Sequence, residues 1–145
     1  MKIIITESQY NLLIENKKNQ LLFDTIKDEG WESASEWVGG IENLKGVLNI
    51  KTPMNFLNLF NNLDIVHSED QPNFILFKYK NEDNIMIYDR ENNYVHISYY
   101  VIWEFLKEGF ELKYFEIQRI IEKWLSEVYN LNGVTIREII DPQDY

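Results

Sequence analysis

The middle of the chain most constrains its fold. From Asn73 to Leu106 it reads NFILFKYKNEDNIMIYDRENNYVHISYYVIWEFL. Short runs of β-branched and aromatic residues, bounded by clusters of Asn, Asp and Glu, are the pattern of antiparallel strands joined by turns. The stretch therefore predicts a three-stranded meander feeding directly into a helix. A sheet of this kind must bury its apolar side, so the remaining segments are expected to pack on it.

The flanks support that arrangement. Leu63 to His67 can supply a further strand, with Ser68 to Pro72 as the turn. Ser98 stands where a helix cap is needed, and Tyr99, Ile102, Trp103, Leu106 and Phe110 then share one helical face until Gly109 ends it. Ile117, Ile120, Ile121, Trp124, Leu125 and Val128 repeat at helical spacing, with Gln118, Arg119, Glu122, Lys123, Ser126 and Glu127 opposite, the pattern of a half-buried surface helix. Asn132-Gly133 is the expected stop, and Val134 to Ile140 can add a strand. Upstream, Lys2 to Ile5 reads as an edge strand or arm. Thr6 to Gln9 reads as a capping box, followed through Tyr10, Leu13, Ile14 and then Leu21, Leu22, Phe23 and Ile26 by one long or two shorter helices that close by Gly30. Ser33-x-x-Glu36 is a second capping box, with Trp31, Ala34, Trp37 and Val38 on a short helical face stopped by Gly39-Gly40. Ile41, Leu44, Val47 and Leu48 repeat the spacing. Thr52-Pro53 is a helix start, followed by Phe56, Leu59, Phe60 and Leu63. With no repeat or linker in sight, residues 1–145 read as a single α+β domain: a three- to four-stranded antiparallel sheet packed by N-terminal and C-terminal helices.

Composition fits a soluble globule. The chain is 45% hydrophobic and 14% aromatic over 145 residues, and a domain of that length buries roughly 70% of its unfolded surface. It has no cysteine, which excludes disulfides, thiolate metal sites and a thiol nucleophile. No apolar run approaches a membrane span, so no membrane partner is expected. A formal charge of −10 disfavours nucleic acid and anionic lipid and is compatible with a basic protein partner.

The residues offer little catalytic chemistry. His67 and His96 lie far apart in the chain on strand-like segments, so no metal site is expected. Ser98, His96 and Asp89 lack the glycine-flanked elbow of a nucleophile, and no glycine lies between Gly46 and Gly109 to cradle a phosphate. The carboxylate pairs Asp28-Glu29, Glu69-Asp70 and Glu82-Asp83 read as solvated turns. No catalytic residue and no cofactor is expected.

One constellation remains. Three-residue turns at Asn81 to Asp83 and Glu91 to Asn93 would gather Ile75, Phe77, Ile85, Ile87, Val95 and Ile97 on one face of the meander. The other face would carry Lys78, Met86, Tyr88, Arg90, Tyr94, His96 and Ser98. A two-residue turn at Asn92-Asn93 would instead set Tyr88 beside Ile97 and end the segregation. The first register, which buries the aliphatic set together, is expected. It makes Lys78, Tyr88, Arg90, Tyr94 and His96 the candidate binding residues, since tyrosine and arginine are common interface anchors.

The ends of the chain carry a resemblance. KIIITESQYNLLIEN at the start, and IQRIIEKWLSEVYNLNGVT with its WLSEVYNLNGVT core near the end, resemble segments of uncharacterised short phage-encoded proteins from marine and other aquatic bacteria. The resemblance implies provenance, either host-cell cytoplasm or virion, and no activity. The expected function is that of a non-enzymatic, phage-type accessory protein acting through protein–protein binding. Two alternatives stand beside it. One is an acidic inhibitor of a host nucleic-acid-binding or defence protein. The other is a small ligand-binding or enzymatic domain using the Tyr88/Arg90/His96 face.

Overall fold

Among the described residues five strands form one open sheet in chain order: β1 (Asp64–His67), β2 (Phe74–Tyr79), β3 (Asp83–Asp89), β4 (Tyr94–Ser98) and β5 (Thr135–Ile139). This computed structural model describes residues 24–26 and 30–144. The strand at Lys2 to Ile5, the capping box at Thr6 and the helix through Tyr10 and Ile14 lie outside the described residues. The α+β class holds, but the sheet is mixed and larger than expected. β1 to β4 are antiparallel neighbours and β5 runs parallel to β4. The parallel strand follows from the helices between β4 and β5, because a chain that crosses a sheet before returning re-enters in its original direction.

That crossover begins where Ser98 Oγ accepts the Val101 N–H at 3.3 Å, opening a π turn (Tyr99–Trp103) that continues as α4 (Glu104–Gly109). Then comes α5 (Tyr114–Tyr129), which buries Ile117, Ile121, Trp124 and Leu125. It ends at Asn130, whose left-handed φ of 56° closes the helix before the expected Asn132-Gly133. At its C-terminal end the Tyr129 ring meets Phe77 edge-on at 5.1 Å. Near its start Gln118 Nε2 donates to the Ile136 carbonyl at 3.0 Å. These two contacts fix which face of the sheet α5 covers. Beside it lies α3 (Pro53–Leu57), opened as expected by Thr52, whose Oγ1 accepts the Asn55 N–H while Asn55 Oδ1 accepts the Thr52 N–H. A 3-10 turn (Asn58–Phe60) leads on to β1.

The expected aliphatic face is half right. Ile75, Phe77, Val95 and Ile97 share the α5 side, but β3 is turned over. Phe77 pairs with Met86, and Met86 with Ile97. Met86 and Tyr88 thus replace Ile85 and Ile87 on that side. Two local features cause this. Between Phe77 and Lys78 the register shifts, leaving Ile85 as the extra residue of a bulge. The β3–β4 connection is residues 90–93, four rather than three, since Asp89 pairs with Tyr94. Each shift moves the register by one, which flips a strand relative to its neighbour. Together they invert β3 alone. The second side consequently carries Leu76 and Ile87, 4% and 0% exposed, and is not the polar surface expected.

The chain end completes β3. β4 stops at Ser98, short of Asn84, and the 3-10 turn Pro142–Asp144 fills the gap. Gln143 Oε1 accepts the Asn84 N–H and Gln143 Nε2 donates to the Asn84 carbonyl, both at 3.0 Å. Asn84 Nδ2 in turn donates to the Pro142 carbonyl at 2.9 Å. One side-chain amide stands in for a strand residue.

The chain divides into two compact units, Met1–Asn49 and Ile50–Tyr145. The sheet and α3 to α5 belong to the second. In the first, residues 24–26 are helical, α1 spans 30–38 and α2 is Ile41–Leu48. Ile26, Trp31, Ala34 and Leu44 are buried. Ser33 lies within α1, where the backbone is helical and a cap would need it extended, so the second capping box does not form. Gly30 has a left-handed φ of 89°, as a helix-closing glycine does, while the residues just before it lie outside the described ones. Gly39 and Gly40, at φ 91° and 122°, end α1 as expected.

Candidate functional site

The structure separates the five candidate binding residues. Lys78 sits half-buried at the bulge, opposite Asn84. Tyr88 is on the α5 side of β3, and its hydroxyl donates to Asn93 Oδ1 at 2.8 Å. Arg90 is in the turn, where its guanidinium donates to the Pro72 carbonyl at 2.8 Å and its N–H to the Asn73 carbonyl at 2.9 Å. Only Tyr94 and His96 stay together, on β4 and facing away from α5. Their rings meet edge-on at 6.3 Å.

Those two lead to β5. In the parallel register Tyr94 lies beside Thr135 and His96 beside Arg137. The Arg137 guanidinium covers the Tyr94 ring, 4.4 Å from its centre, a cation–π contact that anchors the exposed strand to its buried neighbour. Burial pushes the His96 imidazole below its ordinary pKa; the Asp89 carboxylate opposes this and the Arg137 charge adds to it. His96 is therefore a neutral neighbour of Arg137 at physiological pH.

Among the described strands β5 is an outer edge of the sheet, and its backbone alternates. The Thr135 N–H donates inward to the Asn93 carbonyl at 3.0 Å. A strand residue aims its N–H and C=O to one side, and the next residue aims them to the other. Ile136 and Glu138 consequently aim theirs outward. The Gln118 amide already bonds the Ile136 carbonyl there, in the way a neighbouring strand would. Glu138 presents the next outward pair, and no described strand lies beyond it. An open groove of about 460 Å³ runs along this edge, lined by Tyr114, Gln118, Thr135, Ile136, Arg137 and Glu138. Tyr114 leans on the buried Trp103 ring at 5.0 Å, which holds it in place although it is 47% exposed. The edge thus offers backbone hydrogen bonds, an aromatic wall and one charge of each sign, the chemistry an extended peptide uses.

No family model, curated protein or solved structure matches this chain. The site is read on its own geometry. Among the described residues no three His, Asp or Glu side chains gather as a metal site, and no helix is long and apolar enough to cross a membrane. Exposed carboxylates are dispersed: Asp64 on β1, Glu82 and Glu91 in the hairpin turns, Glu122 on α5 and Glu138 on β5.

Sequence reasoning missed Tyr114, Gln118 and Arg137. Tyr114 lies three residues before Ile117, on the spacing of the buried stripe, so the pattern assigns it to the core and not to a site. Arg137 carried no signal, because its place depends on β5 joining β4.

Proposed function

We propose that this is a non-enzymatic, phage-type accessory protein that acts by binding another protein, taken as an extended segment along the outer edge of β5. The observation that supports this most is the edge itself. Ile136 and Glu138 aim backbone groups outward over a groove walled by Tyr114, and a side-chain amide already occupies one strand position there. Strand addition supplies affinity through the main chain and specificity through alternate side-chain pockets. Provenance in a phage, and action in the host cytoplasm or the virion, rest on the end segments. The dispersed carboxylates favour this reading over an acidic mimic, which needs them massed on one face.

A photo-cross-linking amino acid at Glu138 tests it, with the same group at Glu82 in the β2–β3 turn as control. In host-cell lysate the Glu138 probe is expected to capture a discrete protein that the Glu82 probe does not. Glu138→Pro removes an outward N–H and leaves the β4 side intact, a substitution edge strands tolerate. It should abolish capture by a probe at Gln118. Equal capture at both positions, or capture indifferent to the proline, would refute the β5 edge.

A further inference from the structure

The solvent side of α5 carries an unusual set of residues. Phe115 is 74% exposed, more than any other large hydrophobic residue described. Arg119 and Lys123 follow it at i+4 and i+8, so the three form one stripe. Along the α3 side of that stripe runs a groove of about 340 Å³ lined by Thr52, Pro53, Met54, Arg119, Ile120 and Lys123. Its floor of Pro53, Met54 and Ile120 is half-buried and apolar. Every charged residue lining it is cationic, on a chain of net charge −10. The groove suits an apolar side chain accompanied by carboxylates. The same helix holds that combination one turn earlier: Phe115, next to Glu116.

We infer that the occupant is a second copy of this chain, with the two α5 helices packed antiparallel about a two-fold axis passing between Ile117 and Gln118. Residues equally far from that centre then face each other. Phe115 comes level with Ile120 of the other copy and enters the groove against Met54. Glu116 comes level with Arg119, and Lys113 with Glu122, so each half of the interface gains two opposite-charge pairs. Glu116 spends one oxygen on the Lys113 N–H, at 3.1 Å, which leaves the other for the arginine. A centre one residue further on, between Gln118 and Arg119, would set Phe115 against Glu122 and Glu116 against Ile121, which is buried in its own core and offers the carboxylate no partner. Centring on Arg119 would set that residue against its own copy and Glu116 against Glu122, like charges that cost affinity. A two-fold interface demands a self-complementary patch, and the first register supplies one. A polyanion such as nucleic acid fits poorly, because Glu116, Glu122 and Glu127 line the same helix. A fatty acid would leave its chain in water, because the groove is open along its length.

Sedimentation equilibrium of the full chain, from micromolar to millimolar concentration, tests this. Wild type should reach twice 17.5 kDa. Phe115→Asp, Glu116→Arg and Arg119→Glu should each weaken association by about tenfold or more. The double variant Glu116→Arg/Arg119→Glu should recover most of it, since the pair is restored with its signs exchanged. All three positions are exposed on α5, and circular dichroism checks that each variant is folded. A wild type that stays monomeric throughout overturns the proposal and leaves the groove to an acidic segment of another protein. A dimer that survives all single variants places the interface elsewhere. A double variant no tighter than the singles overturns the register.

Discussion

Asn93 shows how much one residue can hold at a junction. Its φ of 56° lies in the left-handed region, where asparagine is tolerated and most side chains are strained. Its Oδ1 accepts from the Tyr88 hydroxyl, its Nδ2 donates to the Gly133 carbonyl at 2.9 Å, and its carbonyl receives the Thr135 N–H. It therefore ties the β3–β4 turn to the start of β5. Asn93→Ala should lose both side-chain bonds and add backbone strain, for about 2–3 kcal/mol in urea unfolding. Asn93→Gly should lose less, because it removes the strain and keeps only the bond deficit. Equal losses would mean that the conformation contributes nothing. Tyr129 does similar work at the C-terminal end of α5. Its hydroxyl accepts the Leu63 N–H at 3.2 Å and donates to the Phe60 carbonyl. Tyr129→Phe should cost about 1–3 kcal/mol by stranding both backbone groups, with the ring packing kept. Burial raises the phenol's pKa, against the Leu63 hydrogen bond. The wild type should therefore lose this stability as pH climbs past 10, where the unfolded chain ionises first, and the phenylalanine variant should not.

At the scale of elements, Gln143 makes a separable prediction. Gln143→Ala removes both bonds to the Asn84 backbone, and Asn84 is only 2% exposed. A loss of about 1–3 kcal/mol is expected, with faster amide exchange at Asn84 than at Met86. Unchanged exchange at Asn84 would show that the chain end is an appendage. The sequence reveals helices and strands here far better than it reveals faces. The α5 stripe, the Thr52-Pro53 helix start, the Ser98 cap and all four antiparallel strands were readable because periodicity and capping are local. β5 was readable as a strand, but not its partner. The inversion of β3 was not readable, for two physical reasons. Ile85 becomes the bulge residue without any glycine to mark it. The four-residue turn depends on Asp89, which accepts from the Glu91 and Asn92 backbones at 3.1 and 3.3 Å and from Asn92 Nδ2 at 2.8 Å. Both faces of β3 offered apolar residues, Ile85 and Ile87 or Met86 and Tyr88, so hydrophobicity alone could not choose. Tyr88, Arg90 and His96 were grouped by a register that those two details undo.

Over the whole molecule, two buried-side titrations should shape stability in the same direction. Hydrogen bonding by the Asn92 side chain, followed by backbone N–H groups of Asn92 and Glu91 and the His96 charge, holds the Asp89 carboxyl below its usual 3.8, although burial opposes this. Between that lowered value and 3.8 the unfolded chain binds a proton that the folded chain does not, so stability rises with pH. The Asp89 contribution is complete above about pH 4 and fades as pH falls through the folded value. His96 behaves alike but higher on the scale. Burial lowers its pKa below 6.5, so between the folded value and 6.5 the unfolded chain again holds the extra proton. Its contribution is complete above 6.5 and is lost on acidification. Urea midpoints measured from pH 8 down to pH 3 should therefore decline in two stages, the first beginning just under 6.5. His96→Asn should flatten the first stage and leave the second, and Asp89→Asn should do the reverse while keeping an acceptor for the turn. The net charge moves from −10 at pH 7 toward zero near the pI of 4.6, which eases self-repulsion over the same range. That global term acts on every variant alike, so the differences between variants isolate the two groups. A wild-type midpoint that stays level from pH 8 to pH 5 would show that the imidazole keeps solvent access enough to protonate in place.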